Sequence, residues 1–164
     1  MEIQMKKELV MTVKAIQDYY PDEFANCFGC GRLNPEGLKI RSYWKGDESV
    51  CHYTPGPHYT GGFPGYLYGG LIAALIDCHG AATASAGKLH ADGFKLGEKP
   101  LSRFVSASLK VDYLKPTPMG KVLELRGRIR EIKGRKVTAS IILTAGGEMC
   151  ARGEVVMVEL KKAQ

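Results

Sequence analysis

Residues 69–86 have the sequence GGLIAALIDCHGAATASA, in which almost every position is apolar or small. A helix that is apolar on all sides is normally buried, so this stretch predicts one long helix at the centre of the fold. Gly87 is expected to end the helix, because glycine is the residue most often found just past a helix C-terminus. The rest of the chain must then supply the surface that covers this helix.

Asp77 lies in the middle of this apolar stretch. Burying a lone carboxylate is unfavourable unless a partner or a function compensates for it. The positions three, four and seven residues away on the helix are all small, namely Gly70, Ala73, Ala74, Gly80, Ala81 and Ala84. This stripe leaves room for a ligand or another backbone beside the carboxylate, although Asp77 could instead cap a loop or face solvent at a kink.

Gly69 and Gly70 begin the same helix. Amides in the first turn of a helix carry the positive end of its dipole, so they suit the oxygen of a polarised carbonyl group. Gly70 and Asp77 are separated by roughly 10 Å along a helix axis. One carbonyl group cannot contact both residues, so a site that uses both requires two copies of the chain.

The C-terminal third predicts an antiparallel sheet. Apolar and polar residues alternate over residues 105–113 and 123–130, and two further strands follow at 136–144 and 149–160. The short turns between them favour antiparallel neighbours, since parallel strands need long crossovers. Residues 38–44 and 48–53 are expected to form two more short strands. A helix covered by such strands is an α+β fold.

The N-terminal residues predict a separate helical segment. Apolar groups recur at helical spacing over residues 6–20, and the pattern ends at Pro21. We therefore expect a helical extension over residues 1–26, packed on one domain formed by residues 27–164. A chain of 164 residues fits a single domain with a core of its own.

Composition restricts the classes of function. The longest apolar run is too short to span a bilayer, the charged N-terminus lacks a signal-peptide core, and five cysteines do not suggest a secreted disulfide framework. A cytoplasmic protein is therefore expected. The net charge of +6 suits a phosphate-bearing ligand, nucleic acid or an acidic membrane surface. Nucleic acid is not expected as a partner, because the basic strand residues lack interleaved aromatic residues that would stack on bases.

Three sequence motifs, taken in order, resemble one family. They are CFGCG at 27–31 with NPEGL at 34–38, GYLYGG at 65–70 with Asp77, and the strand at 106–113 with LKP at 114–116 and Gly120. On these motifs the chain resembles the hot-dog-fold thioesterases of the PaaI-like and THEM4-like families over about residues 27–160. The resemblance implies a curved antiparallel sheet wrapped around one long central helix, and a homodimer that often pairs into a tetramer.

The resemblance also implies an activity, the hydrolysis of a fatty or aromatic acyl-coenzyme A thioester without a cofactor or metal ion. In that reaction Gly70 resembles the oxyanion donor, and Asp77 of the partner subunit resembles the general base or nucleophile. Ser106 resembles a residue that positions water or the acid, and Gly69 is assigned to substrate binding. Tyr68 replaces the histidine that usually precedes the two glycines, and a phenol donates a hydrogen bond but does not titrate near neutral pH.

Two other functions stay open at this point. An acyl-CoA dehydratase or hydratase on the same fold would pair the helix acid with a histidine, for which His58 is the nearest loop candidate. A binding module that holds acyl-CoA without turnover is conceivable because Tyr68 replaces the usual histidine.

Five further residues are assigned to substrate binding. His58 and Phe63 lie in the loop before the helix and are expected at the mouth of the pocket. Lys115, Arg135 and Lys136 lie at strand ends and are expected to bind the phosphates of coenzyme A.

Two patterns are assigned to structure instead. Cys27 and Cys30 form a lone C-x-x-C pair without a second pair, so a structural turn is favoured over a zinc site. His79 faces apolar helix positions and is expected to be a hydrogen-bonded histidine of the core.

Overall fold

A computed structural model describes residues 13–161 of the chain. The strands are β1 (Ser42–Lys45), β2 (Glu48–Tyr53), β3 (Phe104–Tyr113), β4 (Leu123–Lys133), β5 (Lys136–Ala145) and β6 (Glu148–Glu159). The one α-helix of the described residues is α1 (Gly69–Ala91), and two short 3-10 helices precede the sheet at Ile16–Tyr19 and Asp22–Phe24.

The six strands form one antiparallel sheet in the order β1-β2-β4-β5-β6-β3. Burial alternates along β5, so one face of the sheet points inward and the other meets solvent. The inward face packs on α1, where Leu75 and Ile76 lie fully buried against Ile141 and Leu143 of the sheet. This confirms the predicted α+β arrangement of a central helix covered by an antiparallel sheet.

The strand β3 lies at one edge of the sheet. It pairs with β6 alone among the described residues, so its second edge has free N–H and C=O groups. Residues 105–110 are all exposed, and they include Val105 and Leu109. Natural proteins usually cover such an edge or block it, because it can pair with another chain.

The helix continues past the predicted end at Gly87. A Cβ at this position would lie 2.6 Å from Cγ1 of Ile129, and the ring of Trp44 is also close. Glycine is therefore present because β4 packs tightly on the helix, and not because the helix ends there. α1 ends at Ala91, where the Asp92 amide donates to the Lys88 and His90 carbonyls.

The first predicted strand is shorter than expected. Only Ser42 to Lys45 pairs with β2, because Lys39 has a positive φ of 58° that interrupts the extended backbone. The amides of Leu38 and Ile40 instead donate to Phe28 and Gly29, at 2.8 and 3.0 Å. Residues 38–40 thus bind the loop that carries the first motif.

The predicted N-terminal helix lies partly outside the described residues, which begin at 13. Residues 13–15 are not helical, and Ala15 is extended. The helical part is the 3-10 turn Ile16–Tyr19, and Ile16 and Tyr20 pack against Ala82 and Ala86 of α1.

Within residues 13–161, no helix combines the length and the apolar character that crossing a membrane requires.

Candidate active site

Asp77 lies on the side of α1 that faces β3. The hydroxyl of Ser106, on β3, donates a hydrogen bond to the Asp77 carboxylate. Gly70, Ala73, Ala74 and Asp77 are half-buried, whereas the other small residues of the predicted stripe, Gly80, Ala81 and Ala84, are buried. Only the half of the stripe that precedes Asp77 thus leaves room for a ligand beside the carboxylate. The structure also brings together Asp77 and Ser106, two residues that the sequence assigned to one site.

The start of α1 is crowded by two tyrosines. Tyr68 precedes the helix and is 55% exposed, and a Cβ at Gly70 would overlap its phenol ring. Tyr113, at the end of β3, donates from its hydroxyl to the Gly69 carbonyl at 2.8 Å. Glycine at position 70 therefore makes room for the Tyr68 ring beside the first turn of the helix.

A shallow cavity of about 310 Å³ lies beside the helix start. Its lining includes Tyr66, Gly69, Ile72, Tyr113 and Lys115. This mixture of apolar side chains with a few polar groups is typical of small-molecule sites. The structure thus places Gly69 and Lys115, two predicted substrate-binding residues, at one cavity.

Most of the residues that line this cavity were missed by the sequence reasoning, among them Tyr113 and Thr117. Tyr113 was assigned to the apolar face of its strand, and its contact with Gly69 joins residues far apart in the chain. Thr117 also lines the cavity, and its buried hydroxyl has no hydrogen-bond partner among the described residues. A buried hydroxyl without a partner is rare in native proteins, and a ligand group at the cavity would satisfy it.

The loop before the helix carries His58 and Phe63. The His58 and Tyr59 rings are tilted against each other with their centroids 4.1 Å apart, and the Tyr59 carbonyl accepts a hydrogen bond from the Tyr68 amide at 2.9 Å. Phe63 is exposed, and its ring lies 5.8 Å from that of Tyr66, which lines the cavity. Neither side chain therefore lines the cavity itself. His58 is linked to the helix start through Tyr59, and Phe63 is linked to the cavity through Tyr66.

The other two predicted phosphate-binding residues lie elsewhere in the same chain. Lys136 is in register with Val158, which pairs with Val105 near the beginning of β3, at the opposite end of the sheet from Tyr113. Arg135, in the same turn, donates to the Glu159 carbonyl at 2.7 and 3.0 Å. Only Lys115 lies beside the helix start of its own chain.

His79 lies on the far side of α1 from β3 and is fully buried in a polar network. Its ring nitrogens bond to the hydroxyls of Ser42 at 2.8 Å and Ser49 at 3.0 Å, and Ser49 also contacts Thr83. Burial lowers the pKa of His79 to about 4, so the ring is neutral at neutral pH. This places His79 in the core, as the sequence predicted.

A third thiol lies close to those of Cys27 and Cys30. Cys78, the residue after Asp77, places its sulfur 3.9 Å from that of Cys27, and all three sulfurs lie within 4.8 Å of one another. Hydrogen bonds from the Cys30 and Cys78 thiols, and from backbone amides of the turn, hold the pKa of Cys27 well below its usual range. The sequence spacing of Cys78 gave no sign of this cluster, because the contact is made only in the fold.

Comparison with protein families adds a further observation. Residues 64–152 match the family model described as Thioesterase superfamily. The chain is also 37% identical, over 91 residues, to "Acyl-coenzyme A thioesterase THEM4" from Xenopus laevis. That match covers 56% of this chain and 35% of the relative, so the chain spans about a third of this curated protein.

Two solved structures are similar over most of their length. A thioesterase superfamily protein from Shewanella loihica PV-4 is 41% identical with a TM-score of 0.65, and the match covers 85% of this chain and 98% of that one. The PaaI protein of the Escherichia coli phenylacetic acid degradation operon has a TM-score of 0.62 at 15% identity, with 77% and 83% covered. At that identity the second match concerns the fold alone.

Proposed function

Because this chain belongs to the thioesterase superfamily and has its hot-dog fold, we propose that it hydrolyses the thioester bond of a fatty or aromatic acyl-coenzyme A. The products are the free acid and coenzyme A. The observation that carries the proposal is the hydrogen bond from Ser106, on the edge strand β3, to Asp77, which lies beside the half-buried Ala73 and Ala74 on α1.

The proposed site is completed by a second copy of the chain. Ser106 lies near the beginning of β3, and Tyr113, at its end, contacts Gly69 at the helix start. If β3 pairs antiparallel with β3 of a second copy, the beginning of one strand lies beside the end of the other. Asp77, which contacts Ser106, then faces the helix start of the other subunit. Within one chain, Asp77 and Gly70 are too far apart along the helix to contact one carbonyl group.

The proposed reaction uses these groups in one sequence. Asp77 accepts a proton from a water molecule, and the water oxygen attacks the thioester carbonyl carbon. The carbonyl oxygen becomes an oxyanion, which accepts a hydrogen bond from the amide of the partner subunit's Gly70. The C–S bond then breaks, and the leaving thiolate takes up the proton from Asp77. Ser106 donates to the carboxylate throughout and holds its orientation.

The cavity beside the helix start is proposed to receive the substrate near its thioester. Ile72 and Tyr66 supply apolar contacts for the acyl side, and the Lys115 ammonium group suits a coenzyme A phosphate. Lys115 is exposed, and its ammonium group lies 3.5 Å from the Glu148 carboxylate. An exposed ion pair of this kind contributes little free energy, so a phosphate could replace the carboxylate as its partner. The buried Thr117 hydroxyl is available to hydrogen-bond a polar atom of the ligand.

Replacing Asp77 by Asn tests the proposal. The amide keeps the shape of the side chain but cannot accept the proton, so we expect kcat to fall by about 100-fold or more. Release of free coenzyme A would be followed by chromatography, with a panel of fatty and aromatic acyl-CoA thioesters.

Asp92→Asn is the matched control. Asp92 lies just past the other end of α1 and pairs with Lys88 on the surface, so hydrolysis should be unchanged. Unchanged hydrolysis by a folded Asp77→Asn protein would remove Asp77 from the mechanism. Acyl-CoA binding without release of coenzyme A would identify a binding module, and water addition to an enoyl-CoA would identify a hydratase.

A further inference from the structure

The three thiols of Cys27, Cys30 and Cys78 converge on one point between the first motif and the central helix. Cys30 and Cys78 are buried, and Cys27 is half-buried. The Cys27 and Cys78 sulfurs are 3.9 Å apart, and no pair in the group exceeds 4.8 Å. A tetrahedral zinc ion, with Zn–S bonds of about 2.3 Å, places its sulfur ligands about 3.8 Å apart. The thiols therefore already have nearly the spacing of a metal-thiolate site.

The backbone of the first motif is shaped around these sulfurs. A Cβ at Gly29 would overlap the Cys78 sulfur, so glycine at this position lets the helix thiol approach the turn. A Cβ at Gly31 would lie 2.6 Å from the Ala25 and Cys27 carbonyl oxygens, and the Gly31 amide donates to Cys27 at 2.8 Å. The C-x-x-C-G turn is thus tight, and it presents both of its sulfurs to the helix.

A basic side chain lies against the same cluster. The two terminal nitrogens of Arg103 lie 3.9 and 4.0 Å from the Cys30 sulfur, and the Tyr20 ring holds the guanidinium at 4.7 Å. Within residues 13–161, Arg103 forms no salt bridge with a carboxylate, although it is only partly exposed. A partly buried guanidinium is stable beside an anionic group. Three thiolates around a divalent ion have a net charge of −1, which Arg103 would balance.

We propose that Cys27, Cys30 and Cys78 bind a thiolate-preferring divalent cation of the Zn²⁺ type, which links the first motif to the central helix. Binding releases the thiol protons, and the three sulfurs become the ligands. A water molecule takes the fourth position, since the group contains three ligand side chains among the described residues. Because Cys78 directly follows Asp77, the ion would fix the helix next to the proposed catalytic carboxylate.

Cobalt(II) provides the probe, because it enters zinc sites and reports its ligands by absorption. Tag-free protein would be reduced with a phosphine, freed of metal with a chelator and titrated with Co²⁺ under argon. We expect saturation at one ion per chain, with a thiolate-to-cobalt charge-transfer band in the near ultraviolet and visible bands of tetrahedral intensity. Added Zn²⁺ should abolish both sets of bands.

Variants assign the bands to the cluster. Cys78→Ser and Cys30→Ser should each weaken Co²⁺ binding by at least tenfold, whereas Cys150→Ser should bind like the wild type. Cys150 is equally buried but lies outside the cluster, and serine can keep its hydrogen bond to the Glu148 carbonyl. A chelator should also lower the Tm of the zinc-loaded wild type, and it should leave the Tm of Cys78→Ser unchanged.

Two results would overturn the proposal. One is a folded wild-type chain that shows no charge-transfer band at excess Co²⁺ and contains no zinc as purified. The other is a Cys78→Ser chain that binds Co²⁺ as tightly as the wild type. These readouts do not depend on hydrolysis of any thioester, so they fail or succeed separately from the proposed function.

Discussion

Asp77 and His79 lie two positions apart on α1 and face opposite surroundings. Asp77 is half-buried and accepts a hydrogen bond from Ser106, whereas His79 is fully buried between the hydroxyls of Ser42 and Ser49. The carboxylate is open to a ligand, and the imidazole is closed off from one. Proximity in sequence therefore does not make these two residues a catalytic pair, since the helix points them to different sides.

The surroundings of His79 predict a dependence of stability on pH. Its pKa is about 4 in the folded chain and about 6.5 in the unfolded chain, so between these values only the unfolded chain binds the proton. Lowering the pH from 7 to 5 should therefore reduce the free energy of unfolding by about 2 kcal/mol, with no further contribution below pH 4. Urea unfolding at the two pH values measures the difference.

His79→Gln is the control for this prediction. Glutamine keeps a donor and an acceptor for the serine hydroxyls but does not titrate. The variant should be less stable at both pH values and should lack this part of the pH dependence. An equal loss of stability in the wild type and in His79→Gln would contradict the prediction.

At the scale of the elements, β3 has the most consequences for assembly. Leu109 lies near the middle of this edge strand and is 39% exposed. In the proposed antiparallel pairing of two β3 strands, the two copies of Leu109 come close to each other. Leu109→Lys should therefore oppose dimer formation, because it brings like charges together across the strands.

Light scattering after size-exclusion chromatography checks this expectation. The wild type should have the mass of two or four chains, and Leu109→Lys should shift toward the mass of one chain with loss of hydrolysis. Val122→Lys replaces an exposed apolar residue outside the strands and should not change the mass. A wild-type mass of one chain would refute the proposed pairing.

The elements also show what sequence patterns can and cannot predict. Alternation located the four C-terminal strands, because one face of each packs on the helix while the other is solvated. The end of α1 was placed five residues too early, at residue 86, because Gly87 serves close packing against Ile129, which a local pattern does not reveal. Residues 38–40 were predicted as strand, but the φ of Lys39 directs them to the loop of the first motif.

At the scale of the whole molecule, a shared site predicts complementation between two inactive variants. Asp77→Asn removes the carboxylate, and Gly70→Pro removes the amide in the first turn of the helix, where the exposed Tyr68 side chain must move aside for the proline ring. A mixed dimer has one site with both groups intact and one site with neither. Equal mixing should therefore restore about a quarter of the wild-type kcat, since half of the dimers are mixed and each has one working site.

The experiment needs unfolding and refolding of the two variants together. Each variant refolded alone should stay inactive, and the recovered activity should depend on mixing before refolding and not after it. A mixture that stays inactive, although the mixed dimer is detected by mass, would show that the two groups act within one chain.

Individual site residues could be predicted only in part. Asp77, Gly70 and Ser106 were identified from residue types and from a family resemblance, and in the structure the Ser106 hydroxyl donates a hydrogen bond to Asp77. The roles assigned to these residues stay predictions. Cys78 and Tyr113 were missed, because their contacts join segments that only the three-dimensional fold brings together.

The strand order has a consequence for how the protein is made on the ribosome. β3 is the third of the six described strands to be synthesised, but its neighbour in the sheet is β6, the last of the six. Until residues 148–159 have emerged, the exposed apolar positions of β3 have no strand beside them. From the synthesis of residue 113 to that of residue 159, the association surface of the nascent chain thus lacks its neighbouring strand, and in this period unpaired strands are prone to aggregate and long-range pairing is slow.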